Sequence, residues 1–198
     1  MPSPAATVFK AMLSRAATFS SLAQDPRLRP LARNDSRLYL HAALASYVAA
    51  WESYIERLIT NFFTESFDIQ VVKFVVLHSL LQSLAKTASE KFNTPNSENA
   101  RALLFDYTGY DPINDWAWRN MPGPQVRLRL NQILKVRHSF AHGFAMPSYH
   151  WNTSPAGQVR LTQATIADTE SFFVHLVQRT DRGMCDHIKL NYNSNLAW

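Results

Sequence analysis

From Asp35 to Ser66 the chain runs without a glycine or a proline, and its apolar residues return every three or four positions. That periodicity predicts one helix of roughly 48 Å, which is far longer than a lone helix stable in water needs to be and calls for neighbours along its length. Leu38, Ala42, Ala45, Val48, Ile55, Ile59 and Phe62 fall on one stripe, the face expected to meet those neighbours. Glycine is scarce everywhere: five in 198 residues, too few to punctuate a fold of many strands and tight turns. The predicted class is therefore all-α, a bundle of four to six helices with an antiparallel core.

The remaining elements follow from their start and stop signals. Ser3 and Pro4 read as an N-cap followed by a first-turn proline, opening a helix to about Gln24, and Asp25, Pro26 and Pro30 break it. Residues 69–92 include VVKFVV, strand-like by propensity, but HSLLQSLAKTASEKF continues without a breaker, so the segment is predicted helical. Thr94 and Pro95 repeat the cap-plus-proline signal, and that helix is expected to end at Gly109. After a turn at Asp111 and Pro112 and the aromatic piece INDWAWRN, Pro124 starts a helix that runs to Gly143. Pro147, Pro155 and Gly157 mark a loop or short hairpin between Phe144 and about Ala164. Thr165 and Asp168 then resemble a capping box for a last helix carrying Phe172, Phe173, Leu176 and Val177.

Composition limits the function classes. At 46% hydrophobic residues the chain is expected to form one globular domain over residues 1–198 with a real core. Its longest apolar stretches carry charges or histidines every few residues, so no membrane span or membrane partner is expected. MPSPAATVFK has one lysine and no continuous apolar run, and is not read as a secretion signal. A single cysteine, Cys185, excludes an intrachain disulfide framework and fits a cytoplasmic location. The net charge of +5 permits a polyanionic partner. Its basic residues gather in PRLRPLARNDSR and in VRLRLNQILKVR, either as solvated helix faces or as contacts to such a partner.

Two polar residues interrupt the apolar stripes. Counting along the helix that ends at Gly143 gives Val126, Leu130, Ile133, then Arg137, before Phe140 and Ala141. On the long early helix the count gives Ala45, Val48, Glu52, Ile55, Ile59. Burying either charge alone costs several kcal/mol, so Glu52 and Arg137 are expected to lie together as a hydrogen-bonded pair. A structural ion pair is one reading. The other comes from the company Arg137 keeps in VRHSFAHGF, where His138 and His142 share a helix face and Gly143 lets the last turn unwind. A histidine there could move a proton on a ribose 2′-hydroxyl while the guanidinium neutralises charge on the adjacent phosphate, without a metal. The i, i+4 histidines could instead hold a metal ion, but no Cys, Asp or Glu stands near in sequence to complete a ligand set, so no metal or cofactor is expected.

Arg137, the polar His138 and His142 resemble the arginine, polar residue and histidine of RNases in the HEPN superfamily. SYVAAWESYIE, KFNTPNSENARALLFDYTGY and DWAWRNMPGPQVRLRLNQILKVRHSFAHG resemble the RiboL-PSP branch of that superfamily. The best-matching core runs over residues 34–143, flanked by an N-terminal helix and linker at 1–33 and by a loop and C-terminal helix at 144–198. The resemblance implies a HEPN-type helical bundle. It also implies a homodimer with a composite active site, and an endoribonuclease that leaves 2′,3′-cyclic phosphate and 5′-hydroxyl ends, in antiphage defence or as a toxin. Residue by residue it implies that Arg137 stabilises the transition state, His142 moves the proton, Glu52 orients Arg137, and His138 binds phosphate or positions His142. Arg127, Arg129 and Lys135 are candidate RNA contacts, and Trp116 and Trp118 either stack on bases or fill the core. Asn93 and Asn96 belong to the resembling segment but also suit a turn and a helix cap. Partners implied are RNA, a second copy of the chain, and an antitoxin or other regulatory protein. A non-catalytic interaction module, or an RNA-binding adaptor, is the alternative.

Overall fold

The computed structural model describes residues 1–28, 33–67, 75–192 and 198, with side chains left undescribed at 28 and 33–36. Among the described residues the regular structure is helical: α1 (Pro4–Leu22), α2 (Arg33–Glu65), α3 (Val75–Glu90), α4 (Ser97–Thr108), α5 (Gly123–Ala141) and α6 (Gln163–Tyr192). The expected Pro30 break, the Arg29 and Arg33 side chains, and residues 69–74 of the third predicted helix lie outside the described part.

Local chemistry explains where the helices begin and end. Ser3 caps α1 by accepting from Ala6 N at 3.0 Å, with Pro4 in the first turn. The same hydroxyl donates to the buried carboxylate of Asp181 on α6, and Ser3 N donates to that carboxylate at 3.0 Å, so the cap also ties α1 to the last helix. α4 is capped by Asn96, which accepts from Asn99 N at 2.8 Å, two residues later than the Thr94 start expected from Pro95. Its end at Gly109, φ +73°, is as expected. The capping box of α6 also differs: Thr162 and Thr165 exchange N–H to hydroxyl bonds of 2.7 and 3.2 Å, so the box opens at Thr162 and Asp168 has no part in it. The stretch between α5 and α6 is a loop with a single bridge, Thr153 to Val159.

α2 packs against every other helix and so forms the axis of the bundle. Its buried face is broader than one stripe: Leu40, Leu44, Tyr47, Trp51, Tyr54 and Leu58 lie inside, while Leu38, expected on the core stripe, is exposed. Trp51 and Trp116 meet edge to face at the centre, 6.1 Å between rings. Each indole N–H is satisfied, Trp51 by Pro95 O and Trp116 by Thr180 Oγ1, both at 2.9 Å, as a buried donor requires. Trp116 is thus a core residue, whereas Trp118 keeps part of its ring at the surface. No described helix is long and apolar enough to cross a membrane.

Candidate active site

Helix α5 ends in a turn that decides how its last side chains are displayed. His142 N donates to His138 O at 3.1 Å, Gly143 N to Phe140 O at 3.3 Å, and Phe144 N to Ser139 O at 2.8 Å. With Gly143 at φ +68°, these bonds form a Schellman motif that satisfies the final carbonyls and swings the chain away from the helix axis. A residue with a Cβ adopts that φ only at a cost, which is why the glycine follows His142.

The turn leaves His142 directly over His138. Their rings lie 4.2 Å apart at 43°, both exposed, and Phe144 folds back to 5.9 Å from the first and 6.1 Å from the second. The expected shared face of the two histidines is therefore present. Among the described residues no group of three His, Cys, Asp or Glu gathers at a metal-binding distance. A further imidazole, which sequence reasoning missed, meets the last turn of α5: His41 of α2 stacks on Phe140 at 4.3 Å and 9°. Burial pulls the His41 ring down from its usual value, and its Nδ1 has no hydrogen-bond partner among the described residues. A lone histidine in the apolar segment YLHAALA carried no signal for this, because stacking partners come from another helix.

Arg137 and Glu52 depart from the sequence expectation in two respects, their depth and their pairing. The buried row of α5 runs Val126, Leu130, Ile133, Leu134, Val136, so Val136 takes the interior slot. Arg137 is half-buried at its edge, and Phe140 and Ala141 are exposed. Glu52 is likewise half-buried, beside a core filled by Trp51, Tyr54 and Ile55. The two charges are near enough to feel each other. Burial foremost, then the like charge of Glu56, pushes the Glu52 carboxyl up, and Arg137 opposes the shift. They make no ion pair, however, within 4.0 Å. Side chains at the rim keep part of their hydration, so a direct bond is not forced on them in the way it would be in the interior.

The three candidate RNA contacts do not share a surface. By helix geometry Arg127 and Arg129 point about 200° apart. Arg127 lies toward the carboxylates of Glu98 and Asp111, which feel its charge, and Lys135 is exposed near that side. Arg129 lies on the opposite side, its guanidinium 3.8 Å over the ring of Trp151. Asn96 is the α4 cap already described, and Asn93 accepts from Thr94 Oγ1 at 3.3 Å, so both serve the turn.

An all-helical bundle whose fifth helix closes on an arginine and two adjoining histidines matches the RiboL-PSP-HEPN family model over residues 13–186. The chain belongs to the RiboL-PSP-HEPN family. The match reaches beyond the 34–143 core on both sides, taking in the end of α1, the loop after Gly143 and most of α6. Comparison with curated proteins and with solved structures gives no match. At the end of α5 the half-buried Arg137 is followed by two exposed histidines whose rings lie 4.2 Å apart.

Proposed function

We propose that this HEPN domain is an endoribonuclease that cleaves RNA without a metal ion, as a homodimer whose two α5 ends face one groove. The observation that carries the reading is the exposed His138/His142 pair, 4.2 Å between rings, immediately following Arg137 in a family in which RNase activity is common. His142 takes the proton of a ribose 2′-hydroxyl, and that oxygen attacks the adjacent phosphorus. The bond from phosphorus to the 5′-oxygen breaks, the leaving oxygen takes the proton that His142 then carries, directly or through water, and the products carry 2′,3′-cyclic phosphate and 5′-hydroxyl ends. Arg137 neutralises the charge that builds on the phosphoryl oxygens. His138 steadies His142 or holds the phosphate, and Glu52 biases Arg137 through its charge across a short gap. Phe140 and Phe144, both substantially exposed at this end, support a second copy covering the site, since apolar groups beside a polar groove gain from being covered. Toxicity or defence is the role such an activity serves, held in check by a protein partner.

The test is incubation of purified protein with total RNA in excess EDTA, followed by mapping of the ends. Cyclic phosphate termini are expected, with Arg137→Ala and His142→Ala each slowing cleavage by about 10²-fold or more. Intact RNA with the wild type, or equal cleavage by all three proteins, would overturn the reading.

One observation favours a second reading, an interaction module without catalysis. Val76, Leu77, Leu80, Leu81 and Leu84 leave one face of α3 exposed and apolar, and only Ala85 of that helix is buried. A face of that kind suits a protein partner.

A further inference from the structure

Away from the histidine pair, α5, α6 and the loop after Gly143 enclose a groove of about 950 Å³. Its walls carry Trp118, Arg119, Arg129, Trp151, His175 and Arg179, with Asp168 as the acidic residue among them. We propose that this groove binds single-stranded RNA, the arginines taking phosphates and the partly exposed edges of the Trp118 and Trp151 rings taking unpaired bases. The proposal rests on the RNase reading for the identity of the polymer, and extends it by assigning a binding surface separate from the reacting groups.

The groove is built rather than fortuitous. Trp118 and Met121 exchange backbone hydrogen bonds of 3.0 and 2.9 Å, a tight turn that fixes Trp118 and Arg119 at the rim. Trp118 stacks on His175 at 5.5 Å and 21°. The acceptor facing His175 Nδ1 at 2.8 Å is the carbonyl of Ser171, so Nδ1 carries the hydrogen and Nε2 is the ring nitrogen left for a ligand. Across the groove, Trp151 donates to Gln132 Oε1 at 3.1 Å and lies parallel to Tyr149, which holds its ring flat beneath Arg129.

The charges are the stronger argument. Burial pulls the Arg129 guanidinium down to about 10, only partly offset by the charge of Asp168. Among the described residues none of the three arginines has a carboxylate within 4.0 Å. Three cations gathered around one cleft, one of them desolvated, repel one another, and the contact of Arg129 with the Trp151 ring offsets only part of that cost. A chain of phosphates relieves that repulsion. An acidic peptide would satisfy the arginines but leave the flat rings without a use. Unpaired bases use both, and a duplex would keep its bases stacked on each other.

Location agrees with this. From Gln132 to His142 is about 15 Å along α5, and from His142 to His150 the chain reaches at most about 28 Å. The groove-facing row of α5 is turned by about 80–120° from the histidine pair, so a strand reaching from one to the other also passes part of the way around the helix.

The test uses a fluorescently labelled oligouridine RNA with every 2′-hydroxyl methylated, which cannot be cleaved by 2′-hydroxyl attack, so binding is read whether or not the protein is a nuclease. Arg119 and Arg179 are exposed, and the double variant Arg119→Gln/Arg179→Gln leaves the fold intact, checked by circular dichroism. It is expected to flatten the dependence of log Kd on log salt by about 1.4, for two lost phosphate contacts. Trp118→Ala is expected to weaken binding by between about fivefold and a hundredfold. Binding within about twofold of wild type and an unchanged salt slope in both variants would overturn the proposal. So would wild-type protein that ignores this RNA, or displacement of the RNA by polyglutamate as readily as by unlabelled oligouridine. Cleavage of total RNA that persists alongside such a failure would leave the nuclease reading standing without this groove.

Discussion

Replacing Gly183 with alanine sets two effects against each other, and the structure decides which wins. Gly183 lies inside the 30-residue helix α6, where by propensity alone alanine is favoured by about 0.8–1.0 kcal/mol. But the helix passes so close to the segment before α5 that a Cβ at 183 would overlap Asp115 Oδ2 and the Tyr110 hydroxyl. Those two atoms are hydrogen-bonded to each other at 2.8 Å. Burial, then the charge of Asp115, pushes the Tyr110 phenol far up, so it remains the donor at any ordinary pH. Losing a bond to a charged acceptor costs about 1.5–3 kcal/mol, and forcing a methyl into a packed contact costs about 1–3 more. The net loss is about 2–5 kcal/mol after the propensity gain is subtracted, a fall in Tm of roughly 5–15 °C for a chain of this size. Thermal and urea unfolding followed by far-UV circular dichroism measure it directly. In an Asp115→Ala background, which removes part of the obstacle, the cost of Gly183→Ala should shrink. A Gly183→Ala protein as stable as wild type, or more so, would refute the close approach.

Two further outcomes follow from the active-site region. Glu52→Gln tests whether the Glu52 carboxylate is a cost or a support. Its pKa lies above the usual 4.5 in the folded chain, so the group's stabilising contribution is present below 4.5 and disappears as pH rises through the folded value. The variant should therefore unfold at a higher temperature than wild type near about pH 8, with the difference gone near about pH 4, and calorimetry that finds the variant less stable at the higher pH would instead indicate a tight Glu52–Arg137 pair. Gly143→Ala meets no atom within 4 Å, so its only penalty is the left-handed backbone, about 1–2 kcal/mol. Because that backbone folds Phe144 back against both histidine rings, RNA cleavage should fall more than stability does, and equal wild-type rates in an end-mapping assay would disconnect the turn from the chemistry.

Much of the fold was legible because helix signals are local. Ser3 with Pro4, Gly109 and Gly143 each act within one turn of chain, and all three sit where the sequence places them. The shifts at Thr94 and at Thr165 arose between equivalent cap residues a few positions apart, where the choice depends on which hydroxyl or amide reaches the free N–H groups. The motif residues His138 and His142 were legible for the same reason, since i, i+4 neighbours meet on any helix. Their role was legible only through the family pattern around Arg137.

What the chain alone determined, then, is the class of fold, several of its helix ends and the pairing of two histidines, because those depend on bonds spanning a few residues. Tertiary structure decided the rest. Periodicity could not tell whether Val136 or Arg137 faces inward, since neighbouring rows of a helix differ only in where the partner helices stand. Nor could it bring His41 to Phe140, Trp151 beneath Arg129, or Gly183 against Tyr110 and Asp115. Each of those contacts joins residues far apart in sequence, and whether they meet is settled by how whole helices pack around α2.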